Sequence, residues 1–239
     1  MALLNQLAST GSGRSGATRV LLDVLRLVVG VLIIRVTFAV LRNYPDYLPP
    51  NFSADFLLGR EAYFFGSYQW AFYAHIVSGP LTLIIGLALM SERFRRRFPA
   101  WHRVLGRIQV VCVLLLVTPS GFWMAFHAQA GAVAGVGFAA LAFATGLCAC
   151  CGWRSAVRRR FTVHRRWMSR CYLLLCSAVV LRLTAGLFTV TGVEADWTYP
   201  LTAWTSWLVP LAIYEAFQTF SRLSRSRFSR RHLSMVTHT

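Results

Sequence analysis

The chain has 239 residues, is 56% hydrophobic, and carries a mean hydropathy of +0.52 and a formal net charge of +17. These values exclude an ordinary soluble globular protein, and the placing of the basic residues between apolar runs long enough to cross a bilayer excludes nucleic acid as the partner that explains the charge. All 25 basic residues are arginine, which also excludes Schiff-base or phosphate-loop chemistry on a lysine.

In chain order, residues 1–19 are small, polar and Gly/Ser-rich, which predicts a disordered tail. The apolar run 20–41 is too long for a signal-peptide core and predicts the first membrane helix, with Arg35 well inside it. Residues 42–67 form the longest loop, with Pro45, Pro49 and Pro50 and the acids Asp46, Asp55 and Glu61. A second helix follows over 68–90, carrying His75 and expected to kink at Pro80. The arginine-rich loop 91–103 leads to a third helix, 104–126, bent at Pro119-Ser120-Gly121. A short turn around His127 and Gln129 precedes the fourth, 131–152. A second arginine-rich loop opens the fifth helix, 167–189. An acidic loop, 190–199, and a sixth helix, 200–218, complete a membrane domain of residues 20–218. The basic tail 219–239 is expected to be disordered beside anionic headgroups. The fold class expected is all-α, a six-helix transmembrane bundle whose helices two to five form a four-helix core of two similar hairpins.

Arginine placement orients the bundle. Residues 91–107 hold six, residues 153–170 hold seven and the tail holds five, whereas the opposite loops hold only Arg42 and Arg60. The positive-inside rule then puts both termini in the cytoplasm. Cysteines at 112, 148, 150, 151, 171 and 176 lie in or at the inner ends of these helices, so no disulfide framework is expected. They read as small helix residues, the alternative being a thiol cluster of Cys148, Cys150 and Cys151 with Cys171.

Two stretches repeat one pattern. Arg95-Arg96-Arg97-Phe98 precedes His102, and Arg158-Arg159-Arg160-Phe161 precedes His164. Two histidines at matched depth on different helices can ligate one haem iron, with Arg103, Arg107, Arg165 and Arg170 pairing its propionates. The plainer alternative is that they contact headgroups and position the helix entries. Nearer the opposite face, His75, Arg35 and Arg182 share a depth of about 10 Å below the boundary at 1.5 Å per residue. An arginine at mid-bilayer costs at least about 2.5 kcal/mol, so both are expected to face the protein interior and find carbonyls, a folded-in acid or a bound anion. His75, Gly79, Thr82 and Gly86 share one helix face, a groove for a flat ring or for a neighbouring helix. Glu215 is expected to pair with the arginines near His102 or His164, the alternative being a proton relay.

The run from His75-x-x-x-Gly79 through His102-Arg103-x-x-Gly106-Arg107 to His164-Arg165-Arg166-Trp167-Met168-x-Arg170 and Leu181-Arg182 resembles the bacterial membrane family of domain of unknown function 2306. Trp207-Leu208-Val209-Pro210 followed by Glu215 is similar to that family's close, with Leu211 where its pattern has asparagine. The resemblance covers residues 68–218 and implies a multi-pass protein of a bacterial inner membrane; it implies no activity. From the residues, the expected function is haem-binding membrane redox or electron transfer, with haem b held by His102 and His164. Histidines at two depths on neighbouring helices are similar to the cytochrome b561 arrangement, except that here only the inner pair is matched and His75 has no clear partner. The alternative is a cofactor-free protein that transports a small anion or serves as an assembly subunit. No catalytic residue is identified.

Overall fold

A computed structural model describes residues 16–236 apart from 55, 130 and 194, with backbone alone at 17–19, 22 and 221–236. Every regular element in it is a helix: α1 (Gly16–Arg42), α2 (Glu61–Phe64), α3 (Ser67–Leu89), α4 (Glu92–Arg97), α5 (Pro99–Cys112), α6 (Thr118–Ala125), α7 (Gly131–Val157), α8 (Phe161–Leu175), α9 (Ser177–Thr191) and α10 (Thr198–Val236). Five segments are long and apolar enough to cross a membrane: Asp23–Arg42, Ser67–Leu89, Pro99–Ala125, Gly131–Val157 and Phe161–Thr191. Residues 200–218, expected as a sixth span, are helical within α10 but are not among the five, because their Trp, Thr and Ser residues and Glu215 dilute the apolar run.

The boundaries differ from the sequence reading in an informative way. Both expected arginine-rich loops are largely helical, because arginine is a good helix former and the breaks fall only where the chain is forced to turn. Ser91 caps α4 by accepting from the Phe94 amide at 3.3 Å, and Pro99 opens α5 where its missing N–H is harmless. After α7, Arg159 takes a left-handed φ of 57° while the Arg160 and Arg159 amides bond back to the Ser155 and Ala156 carbonyls, a closing loop usually built on glycine. Instead of a disordered tail from 219, α10 continues to Val236; 237–239 lie outside the described residues. Of the expected disordered segment at the start, residues 1–15 lie outside them as well, and 16–19 already belong to α1.

Two prolines shape the spans. Pro80 leaves the Ile76 carbonyl without its helical donor, and the Tyr44 hydroxyl supplies one, tying the 44–47 turn to α3. Before Pro119 the third span widens into a π-helical segment, Val113–Val117, which joins α5 to α6 and relieves the clash of the proline ring with the preceding turn.

Packing follows sequence order and then closes. α3 packs on α5, α6 and α8; α7 packs on α6 and α8; α10 packs on α7, α8 and α9; and α1 rests on α3 and α9. The core gathers Leu83, Val113, Cys148, Ala149, Cys171, Tyr172, Leu174 and Trp207. Tyr172 lies over Gly86 so closely that a Cβ there would stand 2.4 Å from the ring, and its hydroxyl donates to the Leu83 carbonyl at 3.1 Å. The small-residue face of α3 is thus closed by a neighbouring helix at Gly86, while Gly79 on the same face has open space beside it. Gly86→Ala is expected to lower stability by about 1–3 kcal/mol, since the pinned ring cannot step aside; an unfolding midpoint unchanged in denaturant would contradict this packing.

The 43–66 segment is a folded cap at the end opposite the arginine-rich turns. Leu57, Phe64, Tyr68 and Phe72 form a second buried cluster there. Arg60 is 3% exposed within the cap: its Nε donates to the Phe56 carbonyl at 2.7 Å, and its Nη1 faces the Tyr68 hydroxyl at 2.9 Å, the His127 carbonyl at 2.9 Å and the Tyr63 hydroxyl at 3.2 Å. The Tyr63 and His127 rings stack at 4.9 Å, so the cap closes onto the α6–α7 turn.

Candidate functional site

At the arginine-rich end, α5 and α8 enter the bundle in the same register: His102 is the fourth residue of α5 and His164 the fourth of α8. With α3 alongside, they enclose a cavity of about 880 Å³ lined by both histidines, with Gly86, Leu89, Gln109, Met168, Cys171, Tyr172 and Tyr214 in its apolar and deeper part and Arg95, Arg103, Arg107, Arg165 and Arg166 around it. The two histidines are within electrostatic reach of one another. Both are partly buried.

Each imidazole is held differently. His164 Nδ1 lies 2.9 Å from the Gly152 carbonyl on α7, which can only accept, so Nδ1 carries a proton and Nε2 is the nitrogen left for a further contact. The approach depends on Gly152, where a Cβ would stand 2.5 Å from the Met168 sulfur. His102 Nδ1 is buried and has no hydrogen-bond partner among the described residues, so that ring lacks the contact that would complete it. Deeper on the same face of α5, Gly106 leaves open space and the Gln109 amide nitrogen donates to the Thr82 carbonyl at 3.1 Å.

The arginines divide by partner. Arg170 forms a two-pronged pair with Glu215, Nε to Oε1 at 2.5 Å and Nη2 to Oε2 at 2.9 Å, with its guanidinium 4.9 Å from the Trp167 ring centroid. Glu215 therefore pairs as expected, and Arg170, expected to hold an anionic cofactor group, is occupied. Arg95 and Arg96 share Glu92, and the hydrogen bond from Arg96 holds the Glu92 carboxyl below its ordinary range. Arg103, Arg107, Arg165 and Arg166 make no ion pair among the described residues.

At the opposite end the expected trio separates. His75 Nδ1 lies 3.1 Å from the Ser120 hydroxyl, which itself donates to a carbonyl of the π segment, and Gly121 leaves the room its ring occupies. Arg182, expected to face the interior, is exposed; its Nη1 donates to the Ala178 carbonyl at 3.1 Å, and it lies within electrostatic reach of His75, Tyr44, Tyr47 and Tyr199. Arg35 is a correction to the sequence reading: it is exposed and makes no hydrogen bond or ion pair among the described residues, because the face of α1 that packs inward carries Ile33 and Thr37 instead. Arg60, read from sequence as an ordinary loop residue, is the buried cation of this end; the aromatic run around it was the available signal. All six cysteines are free, and no group of three or more metal-type ligands occurs among the described residues.

A family model described as "Predicted membrane protein (DUF2306)" matches residues 72–217, a stretch that includes His75, both cavity histidines and the Arg170–Glu215 pair. No curated protein and no solved structure matches the chain.

Proposed function

Starting from the fact that the chain belongs to the DUF2306 family of predicted membrane proteins, we propose that it binds a flat, anionic, largely apolar ligand in the cavity between α5 and α8, with haem b as that ligand and electron transfer as its use. The observation that carries this reading is the convergence of His102 and His164, from matched positions on two helices, on one cavity whose rim carries Arg95, paired with Glu92, and Arg103, Arg107, Arg165 and Arg166, which make no ion pair among the described residues. The residues present fit the group. His164 offers Nε2, the ring of His102 has an unmet contact, the apolar wall suits a macrocycle, and Arg103, Arg107, Arg165 and Arg166 suit propionates. A bound haem b would supply a one-electron couple at this depth of the membrane; the chain supplies the two imidazoles, the orientation of His164 through Gly152, and charge neutralisation.

The test is a titration of purified protein with haemin. A Soret band that saturates at one equivalent and shifts on reduction is expected, and a spectrum identical to free haemin in detergent would remove haem b from this reading.

We further propose that α10 completes a sixth crossing and that the arginine-rich end faces the cytoplasm, so that both termini lie inside. A reporter fused after Thr239 is expected to be active only in its cytoplasmic form; activity confined to the other side would reverse the orientation.

A further inference from the structure

We propose that Gln109 is a ligand-contacting residue at the deep end of the histidine cavity, where its Oε1 accepts a hydrogen bond from a hydroxyl on the apolar edge of the ligand. This rests on reading that cavity as a haem site, and it narrows the preferred ligand to one with acids on one edge and a hydroxyl on the opposite edge.

Gln109 lies seven residues beyond His102 on α5, two turns of helix and about 10 Å deeper, on the same face. Between them on that face is Gly106, which leaves open space, and all three residues line the cavity. Side chains of a helix lean toward its N-terminus, so the Gln109 amide reaches back from the deep end toward the histidine. The residue is 2% exposed, and only one end of its amide is held. Nε2 donates to the Thr82 carbonyl at 3.1 Å; a carbonyl can only accept, so the nitrogen is turned to α3 and Oε1 is the free end. That oxygen is buried and has no hydrogen-bond partner among the described residues.

The hydroxyls packed beside it are committed elsewhere. Tyr172 donates to the Leu83 carbonyl at 3.1 Å, and Thr82 donates to the Gly79 carbonyl at 2.9 Å. The Tyr172 ring is also pinned against Gly86, where a Cβ would stand 2.4 Å from the ring and 3.4 Å from Gln109 Nε2. A buried acceptor without a donor is rare and unfavourable, and on a residue that lines a cavity the donor comes from what the cavity holds. With the acids of the ligand at the arginines of the entrance, the opposite edge is the one that reaches Gln109. In haem b that edge carries vinyl and methyl groups, which donate nothing. A hydroxyl there supplies the missing donor.

The experiment titrates full-length protein in detergent, read by Soret absorbance, with two probes: haemin, and haemin in which one vinyl has been hydrated to a 1-hydroxyethyl group. The parent is expected to bind the hydroxyethyl haemin about tenfold more tightly, the gain from one hydrogen bond to an otherwise unmet acceptor. In Gln109→Met, of similar size and without the amide, the order should reverse, because the hydroxyl is then buried without a partner. Gln109→Asn keeps an amide but is one methylene short; it should lose the preference as well, and it covers a failure of Gln109→Met to fold. Arg103→Gln should weaken both probes alike, since the propionates are common to them. A parent that binds both haemins with equal affinity, or prefers haemin, keeps the haem site and removes the Gln109 contact, a water then supplying the donor. A preference that survives in both Gln109 variants assigns the hydroxyl to another group and removes the contact too. A parent that binds neither haemin overturns the haem reading and this contact with it.

Discussion

Replacing His102 or His164 with alanine is expected to abolish the Soret band of haem-loaded protein, while helical content and insertion remain those of the parent. The effect should be near complete for either variant, because a six-coordinate iron held by two imidazoles loses one of only two protein bonds. His164 has the better-defined ring, since Gly152 fixes its proton on Nδ1 and turns Nε2 away from α7. His102 is the more adaptable, with its Nδ1 buried and unmatched among the described residues. A Gly152→Ala variant gives a milder form of the same experiment. The added methyl would stand 2.5 Å from the Met168 sulfur, so the Met168 side chain, which lines the cavity, must shift, and the band should broaden or weaken with both histidines still present. Neutralising Arg103 and Arg107 together should weaken haem affinity without changing the reduced spectrum, since propionate contacts act on binding and not on ligation. If both histidine variants keep the parental spectrum, His102 and His164 are not the axial pair, and any haem bound lies elsewhere.

The largest expected loss of stability is that of Arg60→Ala, about 3 kcal/mol or more. Arg60 is 3% exposed and joins three parts of the cap: the Phe56 carbonyl, the Tyr63 and Tyr68 hydroxyls, and the His127 carbonyl on the α6–α7 turn. Its guanidinium also lies 4.7 Å from the Phe56 ring centroid. Removing it strands carbonyls that no water readily reaches, and leaves a void among Phe56, Tyr63 and Tyr68. Arg60→Lys should recover less than half of the loss, because an ammonium cannot address acceptors on opposite sides through a planar fork. Denaturant unfolding in detergent reads the stability, and limited proteolysis of 43–66 reads the cap itself. A midpoint unchanged in Arg60→Ala, with the cap still resistant, would mean that the aromatic cluster alone holds this end together.

The all-helical class and the membrane spans were legible without coordinates because they depend on local quantities, the length and hydropathy of each run, which no tertiary contact has to supply. The matched positions of His102 and His164 were also legible, because a repeated Arg-Arg-Arg-Phe entry sets each histidine at the same depth of its helix; that both line one cavity came from the packing. Pairing of Glu215 with an arginine followed from the scarcity of acids. Helix ends were not legible: arginine does not break a helix, so the polar stretches read as loops became α4 and the first turns of α5 and α8, and the tail from 219 to 236 became part of α10. Which arginine met which partner was decided only by the fold. Arg35 and Arg182 have the same cost by depth and both are exposed, yet rotation about the helix axis leaves Arg35 without a hydrogen bond or ion pair among the described residues and sets Arg182 within electrostatic reach of three tyrosines. Arg170 went to Glu215 because α8 and α10 are neighbours, a contact between residues 45 apart in sequence. Arg60 became buried because the proline-rich segment folds back over α3 and the α6–α7 turn, where carbonyls and phenols in a space closed to water hold the charge that solvent would have held in an open loop.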